Sequence, residues 1–157
     1  MGMDNQGTSV AELCRELEGV EAPGTDGKTA ERRRTETIVA DATEPLVGDG
    51  AFGFDEALVK ESLDELLLVL VALGEEGTHG KQLMNDLSEV FGVRLSPGTV
   101  YPRLHDLEAA GLLEVHELVR TKEYRIADGP AVRRRIEATL KHHFALGAVF
   151  ESALDGL

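Results

Sequence analysis

The spacing of apolar residues shortens at Gly111, and that change limits what the chain can fold into. Before it, Val59, Leu63, Leu66, Leu67, Leu70 and Leu73 recur at three and four residues, the spacing of an amphipathic helix, with Gly74 as a stop. Leu68, Val69 and Val71 make the second half of that helix apolar all round, so it has to be covered on more than one side, as a central helix or at a subunit interface. Lys81 to Phe91 puts Leu83, Leu87, Val90 and Phe91 on one face and ends at Gly92, a second helix. A third is expected after Ser96, which precedes a proline suited to the first helical position, with Val100, Leu104 and Leu107 on its buried face. Pro102 lacks an amide hydrogen and crowds the carbonyl four residues back, so regular helix is expected from Gly98 or Thr99. After Gly111, Leu113 and Val115 alternate with Glu114 and His116, and Tyr124 and Ile126 alternate beyond Arg120-Thr121-Lys122: a β-hairpin over 113–126 with a basic tip.

Pro130 then opens a helix with Val132, Ile136, Leu140, Phe144, Phe150, Leu154 and Leu157 on one stripe, about 27 residues or roughly 40 Å long. Such a stripe outruns a domain of this size, and self-association through Ile136, Leu140, Phe144, Phe150 and Leu154 is the natural inference. Residues 1–55 are rich in Gly, Thr, Asp and Glu, and carry Pro23, Pro45 and turn-like clusters. They read as a partly flexible N-terminal extension with two short helices, around Ser9 to Leu17 and Thr29 to Ala42. The expected division is therefore an extension over 1–55, a helical domain with its hairpin over 56–128, and a dimerisation helix over 129–157.

Length and charge narrow the class. A chain of 157 residues with 42% apolar residues buries one core, despite 16 bases against 29 acids and a net charge of -13. The acids are spread over both halves, and only five of the bases are lysine, a habit of proteins from salt-loading cells; an acidic interaction protein of an ordinary cytosol is the alternative. Residues 94–141, with nine bases against seven acids, are the only stretch that leans positive. The apolar run Leu66–Leu73 is too short to span a membrane and the N-terminus lacks a basic-then-apolar signal pattern, so a cytoplasmic protein is expected. The single cysteine, Cys14, excludes an intramolecular disulfide and any multi-thiolate zinc site built from one chain. His142 and His143 point about 100° apart on a helix, and His79, His105 and His116 lack ligand partners at useful spacing. With no acid–base pair, activated nucleophile or phosphate-cradling loop, neither an enzyme nor a cofactor is expected.

Three short helices followed by a two-stranded wing make a mainly α, winged helix-turn-helix plan, in which the third helix enters the DNA major groove and the wing reaches the backbone or minor groove. The strings Thr78-His79-Gly80, Leu95-Ser96-Pro97-Gly98-Thr99-Val100-Tyr101-Pro102-Arg103-Leu104 and Leu107-Glu108-Ala109-Ala110-Gly111-Leu112-Leu113-Glu114 resemble the PadR family of transcriptional regulators. The resemblance covers residues 60–128, extends loosely to the C-terminal helix and leaves out 1–55. It implies a homodimer on a pseudo-palindromic operator, usually a repressor, dimerising through the C-terminal helix, with a recognition helix over 97–110. It also implies that Thr99, Tyr101 and Arg103 face DNA, that Ser96 meets a phosphate at the helix start, and that Arg120, Lys122 and Arg125 form the basic wing. The chain departs from the pattern at Lys81, where the family commonly has Tyr, and at a short wing tip, Val119 to Lys122, without the usual glycine.

Other readings stand beside these. Tyr101 is read as a DNA or helix-flank contact rather than a core aromatic, and Arg133-Arg134-Arg135 and Arg32-Arg33-Arg34 as solvated helix faces rather than phosphate contacts. The leading function is a sequence-specific regulator on double-stranded DNA, associated with the nucleoid. The alternative is an acidic winged-helix module for protein partners, without DNA contact. A small-molecule effector between the long helix and the first core helix is allowed by Phe144, Phe150 and Leu154. At molar salt the screening length is about 3 Å, which removes long-range repulsion between an acidic surface and phosphates while leaving direct contacts. DNA binding is therefore expected to weaken little, or to strengthen, as KCl rises; a steep loss of affinity on titration would overturn the salt-loading reading.

Overall fold

The computed structural model describes residues 25–47, 50 and 52–157, and the expected helix at Ser9–Leu17 and Cys14 lie outside them. The first described element, α1 (Thr25–Val47), extends at both ends beyond the short helix expected there. Its threonines turn their hydroxyls back onto the helix: Thr35 donates to the Glu31 carbonyl at 3.2 Å and Thr43 to that of Val39 at 2.8 Å. Bonded in this way, Thr35 is buried where α1 packs, and Val39 meets the core.

The single helix expected up to Gly74 is broken at Ser62 (φ -103°, ψ 17°) into α2 (Glu56–Glu61) and α3 (Leu63–Leu73). Asp55 caps α2 by accepting from the Leu58 amide at 3.1 Å. The Ser62 hydroxyl lies 3.1 Å from His143 Nε2 on the C-terminal helix, and His143 Nδ1 donates to the Thr139 carbonyl at 2.8 Å. After a short strand β1 (Thr78–His79) come α4 (Gly80–Glu89) and α5 (Pro97–Ala109). α5 begins at Pro97, earlier than expected, and runs through Pro102, whose missing amide would have met Gly98 in the first turn; both residues are exposed.

Gly111 (φ +75°) closes α5 in the left-handed conformation, its amide on the Glu108 carbonyl at 2.9 Å and the Leu112 amide on the Leu107 carbonyl at 3.0 Å. That double closure aims the chain into β2 (Leu113–Glu117), which pairs antiparallel with β3 (Lys122–Ile126) in the register Val115↔Tyr124. The expected two-stranded wing gains a third strand, because β1 pairs with the other edge of β3 through Thr78↔Tyr124 and His79↔Glu123. The last helix, α6 (Gly129–Leu154), is capped by Asp128, which accepts from the Ala131 amide at 2.9 Å.

Everything packs around α3, which touches α1, α2, α4, α5, α6 and β3. Its Leu63, Leu67, Leu68, Leu70 and Val71 are buried together with Leu83, Leu87, Val100, Leu104, Leu107 and Tyr124. α1 is held against this unit by Arg34–Glu75 at 3.4 Å, by an Arg32–Glu89 pair, and by Thr78 donating to Glu31 at 3.4 Å. At that contact burial pushes the Asp86 carboxyl up to about 6, against the lowering effects of the Gln82 amide, which donates to it at 2.9 Å, and of Arg32. Glu31 is raised as well, by burial first and then by Asp86.

A carboxyl raised from 3.8 to about 6 favours the folded state when protonated, so its contribution is full below the lower value and is lost as pH rises to the upper one. Asp86→Asn keeps the acceptor for Gln82 and is expected to raise thermal stability at about pH 8, by on the order of 2 kcal/mol, and to change it little at about pH 4. Equal effects at the two pH values in thermal melts would rule out the buried carboxylate as the cause.

Candidate nucleic-acid interface

α5 presents one side to solvent beside the wing. At its start the hydroxyls of Ser96 and Thr99 lie 3.1 Å apart, and the Ser96 carbonyl accepts from the amides of Thr99 at 2.9 Å and Val100 at 3.2 Å. Ser96 thus caps through its backbone, and its side chain makes no capping bond to an amide. Tyr101, half exposed, lays its ring on Gly80: a Cβ there would stand 2.7 Å from Cε1 and from the hydroxyl of the ring. The His-Gly pair is therefore what lets α4 approach α5 closely, and Tyr101 is a helix-flank aromatic rather than a core one. Arg103 reaches back to Asp64 at 3.4 Å; the same carboxylate takes Arg135 at 2.9 Å, and Glu65 takes Arg135 at 2.9 Å. This network ties α5 and α6 to the start of α3.

The wing is joined to the head of α4 as well as to itself. His79 Nδ1 donates to the Lys122 carbonyl at 3.2 Å, and Tyr124, whose hydroxyl is pushed up by burial and then by Tyr101 and Glu108, fills the space below. Of the wing bases, Lys122 pairs with Glu117 at 3.7 Å, and Arg125 donates to Glu123 at 2.7 Å and to the Glu76 carbonyl at 3.0 Å. Arg120 stands at the tip beside Val119, which is fully exposed. Between the α4 head, α5 and the wing lies a cleft of about 460 Å³, bounded by His79, Gly80, Lys81, Tyr101, Tyr124 and residues 117–122. Lys81 is the residue sequence reasoning passed over: on the chain it belongs to the polar face of α4, and only its departure from the family's tyrosine marked it.

Elsewhere the predicted residues separate. Val132 is buried, and Ile136, expected at the dimer seam, is partly buried and packs against the core of its own chain. Leu140, Phe144, Phe150 and Leu154 are exposed, Phe144 by 72%. Arg133 pairs with Glu137 at 2.8 Å and Arg135 is half-buried in the α3 network, while Arg134 is exposed. Among the described residues no group of His, Cys, Asp or Glu is placed to hold a metal, and no helix is long and apolar enough to cross a membrane.

Helices α3, α4 and α5 with the wing define a winged-helix protein, and comparison with known proteins gives its family. Residues 69–135 match the transcriptional regulator PadR-like family. Transcriptional activator GvpE1 of Halobacterium salinarum is 38% identical over 134 residues, covering 82% of this chain and 69% of its own length. Transcriptional activator GvpE of Haloferax mediterranei is 40% identical over 96 residues, covering 61% of this chain and 50% of its own. A solved transcriptional regulator from Clostridium thermocellum shares the fold at TM-score 0.53 and 17% identity, covering 63% of this chain and 96% of that one. The chain belongs to the PadR-like family of transcriptional regulators, a family of regulators and not of enzymes. The two GvpE relatives come from halophilic archaea, in agreement with the acidic, lysine-poor composition.

Gly80→Ala is expected to push Tyr101 off its seat and to cost about 1–3 kcal/mol of stability in denaturant melts. Gly98→Ala, which meets only the Ser96 hydroxyl at 3.7 Å, is expected to be neutral or to stabilise by up to about 1 kcal/mol.

Proposed function

We propose that the protein is a sequence-specific regulator that binds double-stranded DNA as a homodimer on a pseudo-palindromic operator, with α5 in the major groove and the wing on the flanking backbone or minor groove. The observation that carries this reading is the solvent-facing side of α5, with Ser96, Thr99, Tyr101 and Arg103 on it and Tyr101 bordering the same cleft as Arg120 and Lys122 of the wing. Ser96, Thr99 and Tyr101 supply hydroxyls for phosphates or base edges, and Arg103, Lys122 and Arg125 exchange a carboxylate of their own chain for DNA. The names of the haloarchaeal relatives favour activation over the repression that the family resemblance implied. Such a protein works in the cytoplasm, on the nucleoid.

Dimerisation is assigned to the outer half of α6. Its inner apolar residues are covered by the core, while Leu140, Phe144, Phe150 and Leu154 continue the stripe into solvent, and a second copy of the same helix is the partner that matches it in length and chemistry. Replacing both Phe144 and Phe150 by Glu is expected to give a folded monomer in light scattering and to abolish operator binding.

The test of the function is selection of genomic DNA fragments by the purified protein in about 2 M KCl. Recovery of a shared inverted repeat is expected. Recovery of nothing above background by folded protein would overturn the DNA reading and favour protein partners.

A further inference from the structure

We propose that Lys81 and Arg120 form a phosphate clamp that holds one strand of the DNA backbone over the cleft between the head of α4 and the wing. This rests on the DNA-binding reading above and adds a contact that the family motif does not assign to this chain.

The inference starts from where the cations of a chain with net charge -13 are engaged. Three of the four bases named for the DNA interface already hold acceptors of their own chain: Arg103 holds Asp64, Lys122 holds Glu117, and Arg125 holds Glu123. Arg120 forms no ion pair among the described residues, and neither does Lys81. Both are exposed, and both border the same cleft of about 460 Å³, Lys81 from the first turn of α4 and Arg120 from the wing tip. Tyr101, half exposed, borders the same cleft, with its ring held in place by contact with Gly80.

A phosphodiester carries one negative charge over two free oxygens. An ammonium on one side and a planar guanidinium on the other satisfy both, and the tyrosine hydroxyl offers a neutral donor at the same cleft. In concentrated salt only direct contacts survive screening, so an acidic protein gains most from cations that have no partner to leave before meeting DNA. Lys81 and Arg120 meet that condition. The lysine that replaces the family's tyrosine thus adds a charge on the wall opposite the wing.

Affinity is to be measured on the duplex recovered by the genomic selection and on a random-sequence duplex, across a KCl series, for the wild type, Lys81→Ala, Lys81→Arg, Arg120→Ala and Arg33→Ala. Arg33 is exposed on α1 and removes the same charge away from the cleft. Lys81→Ala and Arg120→Ala are each expected to weaken binding about tenfold on both duplexes and to change the slope of log affinity against log KCl by about one. Lys81→Arg is expected to restore wild-type binding, and Arg33→Ala to leave it unchanged. Wild-type binding that Lys81→Ala does not alter, or an equal loss in Arg33→Ala, overturns the clamp alone. Failure of the wild type to bind either duplex overturns the DNA-binding reading and the clamp with it.

Discussion

The burial of α3 on every side is the constraint on which the rest of the structure depends. A helix whose second half is apolar all round has to be surrounded, and α1, α2, α4, α5, α6 and β3 each cover part of it. Because α4 and α5 both rest on α3, their mutual placement follows from one packing surface rather than from a flexible link. Because β3 rests there too, through the buried Tyr124, the wing is held to the same frame as α5.

Smaller contacts then adjust the site on that frame. Gly80 lets the Tyr101 ring approach the α4 backbone, His79 ties that same turn to the Lys122 carbonyl, and β1 extends the wing into a three-stranded sheet. All three devices lie within Thr78 to Lys81, so this short segment links α5 to the wing beside it. Behind it, Glu31 and Thr78 bring α1 against the same segment, and the buried Asp86 makes that contact sensitive to protonation. In front of it, Arg103, Lys122 and Arg125 hold carboxylates of their own chain, while Lys81 and Arg120 border the cleft without an ion pair among the described residues.

The residues themselves made much of this legible. Three- and four-residue spacing from Val59 to Leu107, the switch to alternation after Gly111, and the proline that opens α6 are local signals, and each produced the type of element expected of it, because periodicity and punctuation act within one or two turns. The misses have one cause in common. The break at Ser62, the third strand at Thr78–His79 and the length of α1 depend on partners far along the chain, namely His143, β3 and the α3–α4 surface.

The same division runs through the site. Sequence by itself determined the winged-helix plan, the family-like string from Leu95 to Leu104, the acidity and the apolar stripe of the last helix, since these are properties of composition and local order. Tertiary structure alone decided that Arg103 and Arg135 face Asp64, that Ile136 packs against the core, and that Lys81 stands at the cleft bounded by Arg120. The physical reason is that the environment of a charge is set by whatever the fold brings within about 4 Å of it, and residues as distant in sequence as Asp64 and Arg103 become neighbours only once the helices have packed.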